Sequence, residues 1–149
     1  MSLKDRITED MKSAMRAKDS ARLSTIRLLL AAIKQREVDE RAPVDDPQAL
    51  VIIEKLIKQR RDSIEQFQRA NRQDLVYQER FELSVLAGYQ PEQASAGELD
   101  AAIAAAIAAT GAAGASDMGK VMGVLKPKLA GRADMSAVSA MVKAALAKG

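Results

Sequence analysis

The segment Gly88-Tyr89-Gln90-Pro91-Glu92-Gln93-Ala94-Ser95, followed by Ala96-Gly97-Glu98, stops one helix and starts another. Gly88 suits a helix end, Pro91 cannot continue a helix, and Ser95 with Glu98 forms a capping box for the next. Composition changes across it. Residues 1–90 carry 32 charged side chains, 17 basic and 15 acidic, whereas 91–149 carry 11, six basic and five acidic, and most of the Ala and Gly. The segment therefore separates two parts, an N-terminal helical domain over 1–90 and a tail domain over 91–149.

Upstream, Asp45-Asp46-Pro47 places an N-cap carboxylate before a proline in the first helical turn, a strong helix start. Ile53, Leu56, Ile57, Ile64 and Phe67 then line one face. Before it, Ser2 opens a helix striped by Leu3, Ile7, Met11 and Met15. Asp19 or Ser20 opens another, faced by Leu23, Ile26, Leu29, Leu30 and Ile33. A fourth helix from about Gln73 uses Leu75, Leu83 and Leu86.

Downstream, Leu99, Ile103 and Ile107 form a spine. Gly111 to Gly114 break it, and Ser116 or Asp117 caps a helix faced by Met118, Val121, Met122, Leu125 and Leu129. Gly119 and Gly123 should admit a close neighbouring helix, and Pro127 should kink or end this one. Asp134 caps a last helix with Val138, Met141, Val142 and Leu146 inward. The expected fold is all-α, a four-helix subdomain followed by a small three-helix tail.

Apolar residues make up 48% of the 149-residue chain and aromatics only 3%, which suits packed helices better than sheets. No Cys and no His are present. Thiolate chemistry, Cys-based metal sites, the Ser-His-Asp arrangement and imidazole ligands are thereby excluded. No catalytic residue, cofactor or metal ligand is expected. The start, Met1-Ser2-Leu3-Lys4-Asp5-Arg6, lacks the apolar run of a secretory signal. The Ala-rich stretch 101–115 is shorter than the ~20 residues a membrane span requires. The expectation is a soluble cytoplasmic protein without membrane association, and its composition is compatible with a monomer.

Gly114-Ala115-Ser116-Asp117-Met118-Gly119-Lys120 matches the first seven positions of a phosphate-binding P-loop. The match fails on context: a helix precedes it where a strand is needed, and Val121 stands where Ser or Thr must hold magnesium. The basic residues of the tail are the better constellation. Between residue 115 and the end, Lys120, Lys126, Lys128, Arg132, Lys143 and Lys148 face only Asp117 and Asp134. Lys126, Lys128 and Arg132 flank Pro127 and Gly131 and can cluster. Such charge suits nucleic-acid phosphates, and equally a solvated basic face. The tail has no aromatic residue for base stacking. In the first domain Lys55, Lys58, Arg60, Arg61, Arg69 and Arg72 alternate with Glu54, Asp62, Glu65 and Asp74, the pattern of intrahelical pairing.

Several segments carry a family resemblance: Leu56 through Ile64, Arg72-Gln73-Asp74-Leu75 through Glu79 and Glu82, and Tyr89-Gln90-Pro91-Glu92-Gln93. The tail from Ser116 to Met122 and from Lys126 to Asp134 is the most specific. Together they resemble the YqeY family, whose tail is similar to the C-terminal domain of the GatB subunit of the tRNA-dependent amidotransferase. Ala70-Asn71 and Gln90 depart from the pattern, outside the tail. The resemblance implies two helical domains and a tRNA-related role. Its positions make Lys120, Lys126, Lys128, Arg132 and Lys143 the candidate nucleic-acid contacts. The leading expectation is a non-catalytic protein that engages tRNA or a tRNA-processing enzyme. One alternative is an accessory or component of an amidotransferase, a carbon–nitrogen ligase with glutamine as donor. Another is a helical protein-interaction adaptor.

Overall fold

A computed structural model describes residues 1–148. Among them are seven α-helices and no strand: α1 Leu3–Arg16, α2 Ser20–Glu40, α3 Asp46–Arg69, α4 Gln73–Ala87, α5 Ala96–Thr110, α6 Met118–Leu129 and α7 Met135–Lys148. The chain divides into two compact units, Met1–Gln90 and Pro91–Gly149.

In the first unit, α1 to α4 enclose Ile7, Ile26, Leu29, Ile33, Ile53, Ile57 and Leu86. Local capping chemistry starts each of the first three helices. Ser2 accepts the Asp5 N–H, Asp19 accepts from Arg22, and Asp45 with Gln48 completes a reciprocal capping box. The neighbouring Asp46 takes a different load, accepting the Leu3 N–H at 2.9 Å and so tying the start of α3 to the start of α1. Glu37 binds Lys4 Nζ at 2.8 Å and the Val44 N–H at 2.9 Å, linking α1, α2 and the loop before α3. The Lys4 hydrogen bond, seconded by the Val44 N–H, holds the Glu37 carboxyl below its ordinary pKa.

Two apolar assignments shift. Met15 is exposed and Ala14 is buried in its place, because a step of four residues drifts about 40° around a helix and three steps carry Met15 off the core face. Ile64 and Phe67 are only half-buried, while Val76, Val85 and Tyr89 are buried. The basic residues of α3 and of the turn after it also pair differently from the intrahelical pattern. Arg69 does bind Glu65 one turn back, but Arg72 turns to Asp74, and Arg60 reaches α4. There it meets Glu82 at 3.1 Å and Glu79 at 3.9 Å. Burial, then repulsion from Glu82, raises the Glu79 pKa despite Arg60.

In the second unit, Ile103, Val121, Leu125, Val138, Val142 and Leu146 form the core between α5, α6 and α7. Gly111 closes α5 at φ +66°. Ser95 caps α5 by accepting the Glu98 N–H, and Asp134 Oδ1 accepts the Ser136 N–H at the start of α7. Helix α6 departs from expectation three times. A 3₁₀ turn, Ala115–Asp117, precedes it, and Asp117 accepts the Ala113 N–H behind it rather than capping forward. The helix runs through Pro127 to Leu129. Pro127 has no N–H to give the Gly123 carbonyl, so that one i→i−4 bond is lost while the helix continues for two more residues. Within the second unit, and among the described residues, no helix packs on Gly119 or Gly123, where an added Cβ would meet nothing within 4 Å.

Candidate nucleic-acid interface

The five tail cations do not share one environment. Arg132 is held inside its own unit: Nε donates to the Glu92 carbonyl at 2.9 Å and Nη2 to Glu98 Oε2 at 2.8 Å. Its carbonyl accepts the Ala94 N–H at 2.8 Å, and Gln93 donates to the adjacent Gly131 carbonyl at 2.7 Å. Arg132 thus fastens the segment before α5 to the α6–α7 turn. Its bond and charge lower the Glu98 pKa. Glu98 consequently serves Arg132 through its side chain and Ser95 only through its backbone.

Lys120 stands in the first turn of α6, exposed, with Nζ 3.7 Å from Asp117 Oδ1. Asp117 is held below its usual pKa first by the Ala113 N–H and more weakly by Lys120. Lys126 and Lys128 occupy the last turn of α6, and Lys143 lies on α7. All three are exposed and form no ion pair among the described residues. Cations in a last helical turn also favour its carbonyl end, so part of the role of Lys126 and Lys128 is local.

Two residues apart on a helix, Lys126 and Lys128 project roughly 160° from each other, so they do not build one face. Lys120 and Lys126 do. They lie about 120° apart and about 9 Å along the axis, with the uncovered Gly119 and Gly123 in the arc between them. The arrangement is a strip of bare backbone edged by two lysines, with Lys128 and Lys143 outside it. Charge counting did not separate these lysines from Arg132. Nor did it find the strip, for which the spacing of Gly119 and Gly123 is the only signal.

Among the described residues no group of three or more Asp and Glu side chains is placed to hold a metal ion. No single helix there is long and apolar enough to cross a membrane.

Fold and site together define an all-helical protein whose second unit exposes a glycine strip edged by Lys120, which pairs with Asp117, and by Lys126, which forms no ion pair among the described residues. The chain belongs to the YqeY-like family: the family model described as Yqey-like protein matches residues 4–146. The resemblance read from the residues is thereby borne out. Curated relatives are named "Altered inheritance of mitochondria protein 41, mitochondrial". That of Lachancea thermotolerans is 44% identical over 100 residues, covering 65% of this chain and 54% of the relative. That of Eremothecium gossypii is 43% identical over 84 residues, 56% of this chain and 46% of the relative. In Pyrenophora tritici-repentis the match is 35% over 130 residues, 86% and 71% respectively. The chain spans about half the length of the first two. The expected cytoplasmic location is overturned by these names, which are those of mitochondrial proteins. Charge and apolar patterning along the chain do not discriminate among aqueous compartments.

Proposed function

We propose that this protein is a non-catalytic, tRNA-associated helical protein, with the four-helix unit and the three-helix tail as separate functional domains. The tail holds phosphates through Lys120, Lys126, Lys128 and Lys143. The observation that carries this reading is the glycine strip of α6, open along its length and edged by Lys120 and Lys126. Without Cβ atoms at 119 and 123, a sugar–phosphate backbone approaches the helix more closely than other residues allow, within reach of both lysines. The likeness of the tail to the C-terminal domain of GatB supports the choice of tRNA as ligand. Arg132, which the motif also nominates, acts in this reading by holding the tail together.

The test is tRNA binding by fluorescence anisotropy across a salt series. With about four phosphate contacts, log affinity falls with log salt at a slope of about −3 to −4. Charge reversal at Lys126, Lys128 and Lys143 together should flatten the slope by roughly 2 to 3. Unchanged binding by the triple variant would overturn the assignment.

A further inference from the structure

The exposed aromatic residues of the first unit are unexplained by its core. Tyr77 is 72% and Phe81 39% exposed, one turn apart on α4. They lie roughly 150–170° from the Leu75, Leu83 and Leu86 stripe, so the helix presents them outward. At that spacing their Cβ atoms are about 5–6 Å apart, close enough for one flat group to cover both rings. Arg80, between them in sequence and exposed, forms no ion pair among the described residues, whereas Arg69 and Arg72 near the α3–α4 turn are both paired. The rest of this face is polar, with Gln73 and Ser84 one turn away on either side.

We propose that Tyr77, Arg80 and Phe81 form a stacking surface for unpaired nucleotides. It deepens the RNA-associated reading, on which it rests, by giving the chain the base contact its tail lacks. A docking partner helix would need an apolar row at i, i+3, i+4 and i+7, and positions 73, 80 and 84 interrupt any such row. Two π faces and one unpaired cation instead complement a nucleotide, the base on the rings and the phosphate on Arg80. Because any base offers a π face, this contact is tolerant of sequence and demands only that the bases be unpaired.

The full chain supplies its own reporter, since it has no Trp and only two Tyr, of which Tyr89 is buried. Tyrosine emission should be quenched on titration with a short oligoadenylate and stay unchanged with a duplex of similar length. Tyr77→Leu and Phe81→Leu, which keep apolar area without a π system, should each weaken oligoadenylate binding at least about fivefold, read by anisotropy of a labelled oligoadenylate because Tyr77→Leu removes the tyrosine reporter. Arg80→Gln should weaken it and reduce its salt dependence. Equal affinity in the double leucine variant, with its helical circular dichroism intact, overturns the proposal, as does absence of oligoadenylate binding by the wild type. A face that serves a second copy or an acidic helix would instead show self-association or peptide binding that survives leucine, and this too overturns it. The Lys126, Lys128 and Lys143 charge reversal separates the readings. Lysine-dependent tRNA binding that ignores Tyr77 and Phe81 sinks the stacking surface alone. Aromatic-dependent oligoadenylate binding with lysine-independent tRNA binding sinks the tail reading alone.

Discussion

Replacing Tyr89 by Phe removes one oxygen from the core of the first unit, and the structure sets what that oxygen contributes. Tyr89 is 4% exposed, and its hydroxyl donates to Asp10 Oδ2 at 2.6 Å, across 79 residues of chain. The Arg6 guanidinium lies 5.1 Å from the ring centroid and also donates to the Gly88 carbonyl. A hydrogen bond to a charged group contributes about 1.5–3 kcal/mol. Asp10 borders a polar pocket of about 250 Å³ with Ser13, Asp19 and Arg22, so its carboxylate regains water once the phenol is gone. We therefore expect a loss near the lower end, about 1–2 kcal/mol. In a domain of this size that lowers the melting temperature by about 4–8 °C per kcal/mol. Thermal and urea unfolding followed by far-ultraviolet circular dichroism measures it, with Tyr77→Phe as an exposed control that stays within about 0.5 kcal/mol. A Tyr89→Phe, Asp10→Asn double-mutant cycle should show coupling of similar size. Burial first, then the Asp10 bond and charge, raise the Tyr89 pKa above its ordinary value. The contribution is thus fully present below pH about 10 and is lost as pH rises through the folded-state value. Tyr89→Phe matching the control in stability, or purely additive behaviour in the cycle, would refute the reasoning.

Arg132→Met should lower the tail's unfolding temperature while leaving the salt slope of tRNA binding unchanged; a slope reduced as much as by Lys126→Ala would make Arg132 a direct contact. The lowered pKa values of Glu37, Glu98 and Asp117 contribute stability that is present above the ordinary carboxylate range. That contribution disappears as pH falls through the lowered values, so urea midpoints should drop below pH about 4, and less so in Glu37→Gln. Gly119→Ala and Gly123→Ala meet open space inside a helix and should each add about 0.5–1 kcal/mol, while tRNA affinity falls if phosphates contact that strip. Gly111→Ala, at φ +66°, should cost about 1–2 kcal/mol in the same melting experiment.

What was legible in the sequence was what is decided within one helical turn. Asp19, Asp45, Ser95 and Asp134 act as N-caps because the donors they satisfy lie two or three residues on. The apolar stripes also read well where the step alternates between three and four, as at Ile26, Leu29 and Ile33. They failed where a strict step of four was extended, as at Met15. Partners distant in sequence left no local trace. Nothing around Asp10 announces Tyr89, nothing around Glu37 announces Lys4, and Arg60 has intrahelical acids nearby yet reaches Glu79 and Glu82 on the next helix.

The candidate site shows the same boundary more sharply, because a cation's usefulness depends on what already holds it. Counting residues makes Arg132 and Lys126 equivalent. Arg132 spends its guanidinium on a carbonyl and a carboxylate, a fixed pair of acceptors that its planar donors suit. Lys126 has neither, and it stands beside backbone left bare by Gly119 and Gly123. The spacing of those glycines suits a seat for a neighbouring helix of the same chain, yet α5 and α7 pack on the opposite, Val121 and Leu125 side of α6. With no covering helix within the unit, their spacing bears on an external ligand, and the alanine substitutions there separate a stability effect from a binding effect. Stability that rises with unchanged tRNA affinity would leave the strip as helix surface and shift the reading to Lys128 and Lys143.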